Sequence, residues 1–186
     1  MKLLLSDELH PEVLGAGLGR VILLNGTSSS GKSTLAAALQ EELDEPYFHV
    51  AVDQFHRTRA RKDWTEEEFQ PVFQRTVLGF HRVVAGMASA GNNVVADHIL
   101  GGEAWRMADC MAVLDGYDVV VVGVHCALPE LERRERERGN RGIGRAAFQY
   151  PIVHTGMKYD VEVDTGAYSP EECAQQVKAY LTARST

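Results

Sequence analysis

Residues 21–33 read VILLNGTSSSGKS, and the arrangement of the whole chain follows from them. The apolar run Val21, Ile22, Leu23, Leu24 has the character of a short buried strand, and Gly26, four spacers, Gly31, Lys32 and Ser33 follow at once. That spacing is a phosphate-binding P-loop. Its glycines let successive backbone N–H groups curl around an anion without interference from Cβ atoms. The lysine reaches the β- and γ-phosphates, and the serine hydroxyl ligates Mg²⁺. A helix opening at the loop adds the positive end of its dipole. Gly26, Thr27, Ser28, Ser29, Ser30, Gly31, Lys32 and Ser33 are therefore the expected ATP-binding stretch. The bland alternative, a Gly/Ser-rich surface turn, does not account for the strand before it and the helical pattern after it.

The length of 186 residues gives one domain, or one domain with a small lid, and suffices for a proper core. A hydrophobic share of 45% with 24% charged residues is that of an ordinary globular protein. The net charge of −7 argues against a broad nucleic-acid surface. Cys110, Cys126 and Cys173 are widely spaced without a CxxC pair, which fits reduced buried thiols better than a disulfide frame or zinc site. No run reaches the length of a membrane span, and Leu3–Leu5 is too short for a signal-peptide core, so a cytoplasmic protein is expected. Nothing fixes the oligomeric state, and a homo-oligomer stays among the expectations.

Residues 1–20 have no convincing period and read as an N-terminal extension to a domain at 21–186. From Lys32 a helix carries Leu35, Leu39 and Leu43 on one face and ends before Pro46. Phe48, Val50 and Val52 alternate as a second strand ending in Asp53, and residues 54–64 form a polar, basic connection. The next helix starts either at a Thr65/Glu68 capping box or with Pro71 in its first turn, and Gly91 closes it. Val94–Ala96 is a third strand, followed by Asp97. Ala104, Met107, Ala108, Met111 and Leu114 line one face of another helix, and the β-branched run from Val119 suits a strand covered on both sides. After a charged segment and a short helix, Tyr159, Val161 and Val163 make the last strand. Ser169, Pro170 and Glu172 open a final helix that buries Val177, Tyr180 and Leu181. Alternating strands and helices predict an α/β three-layer fold with a parallel five-stranded sheet flanked by helices.

Ligands in such sheets sit beyond the carboxyl ends of the strands, where the P-loop, Asp53 and Asp97 all fall. Asp53 is the candidate catalytic base that accepts the proton of an acceptor hydroxyl; its alternative is a cap on the following turn. Asp97 is the candidate acidic holder of Mg²⁺ beside Ser33, with a turn aspartate as its alternative. Arg134, Arg138 and Arg141 share one helical face in the segment 129–145, while Glu130 precedes Arg134 by four. The segment reads either as a solvated helix laced with ion pairs or as a lid whose arginines grip ATP phosphates, and its place after the fourth strand favours the lid. His125 and His154 read as structural.

The sequence resembles the chloramphenicol phosphotransferase family of P-loop kinases. The resemblance runs from about Val21 to the final helix and rests on LLNGTSSSGKS, VDQ, VVADHILGG, VVGVHC, RGNR and IVHTGMKYDVEVDT. It implies that Gly31, Lys32, Ser33 and Thr34 bind ATP phosphates and Mg²⁺, that Asp53 activates a hydroxyl of a small-molecule acceptor, and that Arg138 and Arg141 belong to a closing lid. The basic residues His56, Arg57, Arg59, Arg61 and Lys62 depart from the apolar lining a chloramphenicol-like acceptor calls for, and suit an anionic or sugar-phosphate-like one. A nucleotide-dependent switch or RNA-associated module, with this segment contacting a macromolecule, is the alternative from another class.

Overall fold

A computed structural model of the chain describes residues 17–60, 62–138 and 143–184. Five parallel strands, β1 (Val21–Asn25), β2 (Tyr47–Ala51), β3 (Asn93–His98), β4 (Val119–His125) and β5 (Val161–Asp164), lie in the order β2-β3-β1-β4-β5. Between them run α1 (Lys32–Glu42), α2 (Val52–Thr58), α3 (Glu66–Ser89), α4 (Ala104–Val113), α5 (Leu128–Arg138) and α6 (Arg145–Gln149), and α7 (Pro170–Arg184) closes the chain.

The apolar alternation of the inner strands decides the layering. In β1, Ile22 and Leu24 pack with Leu35 and Leu39 of α1 and Val177 and Leu181 of α7. Val21 and Leu23 pack on the other side with Val77, Phe80 and Val84 of α3, Cys110 of α4 and Leu114 just past its end. All five residues of β1 are buried. This is why a central parallel strand reads as an unbroken apolar run. The chain leaves β1 toward β3 and β2 on one side and toward β4 and β5 on the other, so the loop after β1 opens at the point where the strand order reverses.

Several expectations need correction. In β2 the buried residues are Tyr47 and Ala51, and Phe48 is 48% exposed. The strand is the sheet edge, paired on one side alone, by β3. Val52 opens α2 instead of extending β2, so Asp53 stands in the first turn of a helix. The expected connection 54–64 is thus helical through Thr58. On α4 Cys110 is buried and Met111 faces outward, whereas Met107, packed on the core, and Leu114, buried just past the helix, lie on the expected face. Tyr159 precedes β5 rather than belonging to it.

Others match. Thr65 is the N-cap of α3, with Glu68 N–H donating to its Oγ1 at 3.3 Å and its own N–H donating to Glu68 Oε2 at 3.0 Å, so the capping box sets the start and Pro71 lies inside the helix. Ser169 and Glu172 make the reciprocal pair at α7. The three cysteines are free and buried. No helix among the described residues is long and apolar enough to cross a membrane.

Candidate active site

The P-loop lies between β1 and α1. Gly31 has φ +85°, a conformation that L side chains rarely adopt. A Cβ on Gly26 would stand 2.5 Å from the Val124 carbonyl oxygen, so the turn out of β1 closes only with glycine there. Lys32 is 7% exposed and curls back over the loop, its Nζ donating to the carbonyls of Gly26 at 2.9 Å and Thr27 at 2.7 Å. Ser33 Oγ donates to Asp97 Oδ2 at 2.6 Å, and Lys32 Nζ stands 3.9 Å from Asp97 Oδ1. Burial by itself pushes the Asp97 carboxyl up; the Lys32 ammonium, with His49 and the Ser33 hydroxyl, outweighs it and holds the group below the usual carboxylate range.

These groups border a cavity of about 480 Å³ lined by Ser28, Ser29, Gly31, Lys32, Ser33, Thr34, Asp53, Asp97, Arg134, Arg138 and Thr165 among others. Ten of the residues singled out in the sequence therefore face one space. Gly26, Thr27 and Ser30 frame it from behind, through the carbonyls that hold Lys32 and through Ser30, whose carbonyl accepts from Thr165 Oγ1 at 2.7 Å. Arg141 lies outside the described residues. Arg134 is tied by hydrogen bonds to Glu130 Oε1 at 2.7 Å and the Thr165 carbonyl at 2.7 Å, which fixes the guanidinium at the cavity wall.

A second cavity of about 420 Å³ adjoins the first and shares Val52, Asp53, His98 and Ile99 with it. Its apolar wall is Phe69, Phe73 and Val77 of α3 with Phe148 and Ile152 from α6 and the turn after it; its charged residues are Asp53, Glu103, Arg106 and Arg145. Of the described residues in the basic stretch after Asp53, His56 alone lines this cavity, its ring stacked on Phe73 at 5.0 Å, and Arg61 lies outside the described residues. Arg59 instead packs over the Phe69 ring at 4.6 Å.

Several contributors were not read from the sequence. Glu135, 3% exposed on α5, accepts from the N–H groups of Gly144 at 2.8 Å and Ala146 at 3.1 Å and so ties α5 to α6. Gln149 Oε1 accepts from Ser28 N–H at 2.7 Å, linking α6 to the P-loop. Asn25 at the end of β1 donates to the Val153 carbonyl and the Tyr159 hydroxyl and accepts from Leu100 N–H. Asn25, Tyr159 and Thr165 did stand in stretches quoted above, LLNGTSSSGKS and IVHTGMKYDVEVDT, but no role was read for them there. His125 and His154 stack at 4.1 Å beside Glu162 and Tyr159 and line neither cavity, in keeping with a structural reading.

A family model described as chloramphenicol phosphotransferase-like protein matches residues 19–182. A relative in Mycobacterium tuberculosis, Rv2636, named by inference as an O-phosphotransferase, is 31% identical over 182 residues, which span 86% of this chain and 80% of the relative. Among solved structures, the M. tuberculosis APS kinase CysC in complex with AMPPNP and APS has a TM-score of 0.68 at 20% identity, covering 89% of this chain and 98% of that one. A gluconokinase from Sinorhizobium meliloti 1021 has a TM-score of 0.62 at 20% identity, covering 89% and 93%. The tunicamycin resistance protein of Deinococcus radiodurans has a TM-score of 0.59 at 17% identity, covering 88% and 95%. The shared architecture is that of P-loop kinases.

Proposed function

The chain belongs to the chloramphenicol phosphotransferase-like family of kinase-like phosphotransferases, and from that premise we propose that it transfers the γ-phosphoryl group of ATP to a hydroxyl of a small molecule held in the second cavity. The observation that carries this reading is the position of Asp53 on the wall common to both cavities. A carboxylate at that boundary can accept the proton of a hydroxyl entering from one side as its oxygen bonds to phosphorus on the other. The bond from the γ-phosphorus to the bridging oxygen breaks, and ADP leaves. Lys32, released from the loop carbonyls, and Arg138 neutralise charge on the phosphoryl oxygens, while Arg134 supports the wall.

Ser33 and Asp97 fit a magnesium ion. One hydroxyl and one carboxylate at hydrogen-bond distance make the sparse oxygen set of an ion that keeps water and phosphate oxygens as its other ligands. When bound, Mg²⁺ supplies charge neutralisation at the phosphates. The 129–145 segment is the lid of this reading, with Arg138 and Arg141 on it.

The aromatic and aliphatic wall of the second cavity favours an acceptor with an apolar body, as chloramphenicol has. A second reading of the acceptor, an anionic molecule, is favoured by Arg106 and Arg145: Arg106 pairs with Glu103 at 2.9 Å, yet its Nε is buried without a hydrogen-bond partner. The test is a Mg·ATP assay on the purified protein with mass detection of added phosphate, run against chloramphenicol, other hydroxylated antibiotics, sugars, sugar phosphates and nucleosides. Phosphorylated chloramphenicol is the expected result. Phosphate on an anionic acceptor favours the second reading, and slow ATP hydrolysis with no phosphorylated acceptor overturns the kinase in favour of a nucleotide-dependent switch.

A further inference from the structure

A line of polar groups, from the partly exposed Asp109 through two buried histidines, crosses the apolar layer between α3 and α4 and ends at the cavities. Asp109 Oδ2 lies 2.6 Å from His81 Nδ1, and His81 Nε2 lies 2.9 Å from His98 Nε2. His81 is fully buried and His98 is 2% exposed, both packed against Phe80. Arg82 donates to both oxygens of Asp109 at 2.9 and 3.0 Å and fixes the carboxylate at the outer end. The inner end, His98, lines both cavities beside Asp53, and its Nδ1 is buried with no hydrogen-bond partner.

Hydrogen-bond direction then propagates along the line. The Asp109 carboxylate can only accept, so His81 donates from Nδ1. Burial lowers the proton affinity of His81, opposed in part by Asp109, so at neutral pH the ring is uncharged and its Nε2 carries a lone pair. That lone pair must accept, so His98 donates from Nε2. An imidazolium at His98 would bury a second N–H without an acceptor, so this ring too is neutral and its Nδ1 is a bare lone pair. A buried acceptor left unpaired is unfavourable unless something donates to it. A bound molecule can.

We propose that the Asp109–His81–His98 line holds His98 in one tautomer so that its Nδ1 accepts a hydrogen bond from the molecule being phosphorylated. This rests on the kinase reading above and narrows its substrate class: the acceptor carries a second donor, O–H or N–H, close to the hydroxyl that Asp53 serves. His98 is a positioning and selecting residue, and the proton it receives in that hydrogen bond stays on the substrate. A site built around such a contact rejects an analogue lacking the donor, because the lone pair is then left buried and unpaired.

Two measurements test this. Imidazole nitrogen NMR of the unliganded protein at pH 7.5, with His98 assigned from the His98→Asn spectrum, should find Nε2 protonated and Nδ1 bare. A protonated Nδ1 overturns the proposal without reference to any acceptor. Phosphoryl transfer is then compared for chloramphenicol against its analogue lacking the secondary hydroxyl, and for adenosine against 2′-deoxyadenosine. The wild type should favour the member with the extra donor by about tenfold or more in kcat/KM. Asp109→Ala, at a residue that lines neither cavity, should narrow that preference and leave the KM for ATP unchanged. Equal rates within each pair, or an undiminished preference in Asp109→Ala, overturns the proposal. Absence of phosphate on all four compounds counts against the kinase reading instead, and the nitrogen spectrum then decides the tautomer.

Discussion

A hydroxyl that attacks phosphorus must lose its proton as the new bond forms, and in the proposed reaction Asp53 is the carboxylate that both cavities share. It stands in the first turn of α2, whose N-cap is Ala51, so it does not cap the turn as its alternative reading had it. Asparagine keeps the shape and loses the base. Asp53→Asn should therefore lower kcat by roughly 10²- to 10⁴-fold while ATP affinity stays within about twofold of wild type. Single-turnover rates and nucleotide titration read the two quantities separately; equal losses in both would move Asp53 from the chemistry to nucleotide binding. At this scale the P-loop was legible because its backbone requirements leave few residue choices. His98 was not, because a lone histidine beside an aspartate looks the same whether or not His81, seventeen positions away, reaches its ring.

For whole elements, legibility followed how local the causes are. The start of α3 depends on four consecutive residues, and the reciprocal Thr65 and Glu68 bonds settle the choice between two starts. Thr65→Ala should cost about 1 kcal/mol, which for a chain of this size lowers the melting temperature by about 2–4 °C. Calorimetry on the variant checks this, and an unchanged midpoint would mean that packing of Val77, Phe80 and Val84 alone sets where the helix begins. β2 was misread for the opposite reason. Its alternation is genuine, but which face is covered depends on the strand's edge position, and five residues of sequence carry no information about sheet order. The second cavity was illegible in the same sense. Phe73, Arg106 and Phe148 belong to three different helices, and only the packed fold brings them to one space.

Across the whole molecule, buried histidines make stability depend on pH in a window separate from that of the carboxylates. Burial pushes the His154 imidazole down to about 4, with the neighbouring His125 adding repulsion. Burial likewise lowers His81, with Asp109 opposing, and lowers His98, where His81 acts in the same direction as burial. Below pH of about 6.5 the unfolded chain takes up protons on these rings that the folded chain refuses, so stability falls with pH from about 6.5 toward about 4. Asp97 and Asp109, held below the usual carboxylate range, contribute stability that is present above about pH 4 and lost as pH falls below it. The two losses are therefore sequential. Urea unfolding of the wild type between pH 7.5 and 4 should give a steadily falling free energy. In His154→Gln, which has no titrating ring at that position, the fall should be shallower, while His81 and His98 continue to contribute. Parallel curves for the two proteins would mean that His154 titrates alike in the folded and unfolded chain, and the acid sensitivity would then belong to His81, His98 and His56, which burial also lowers.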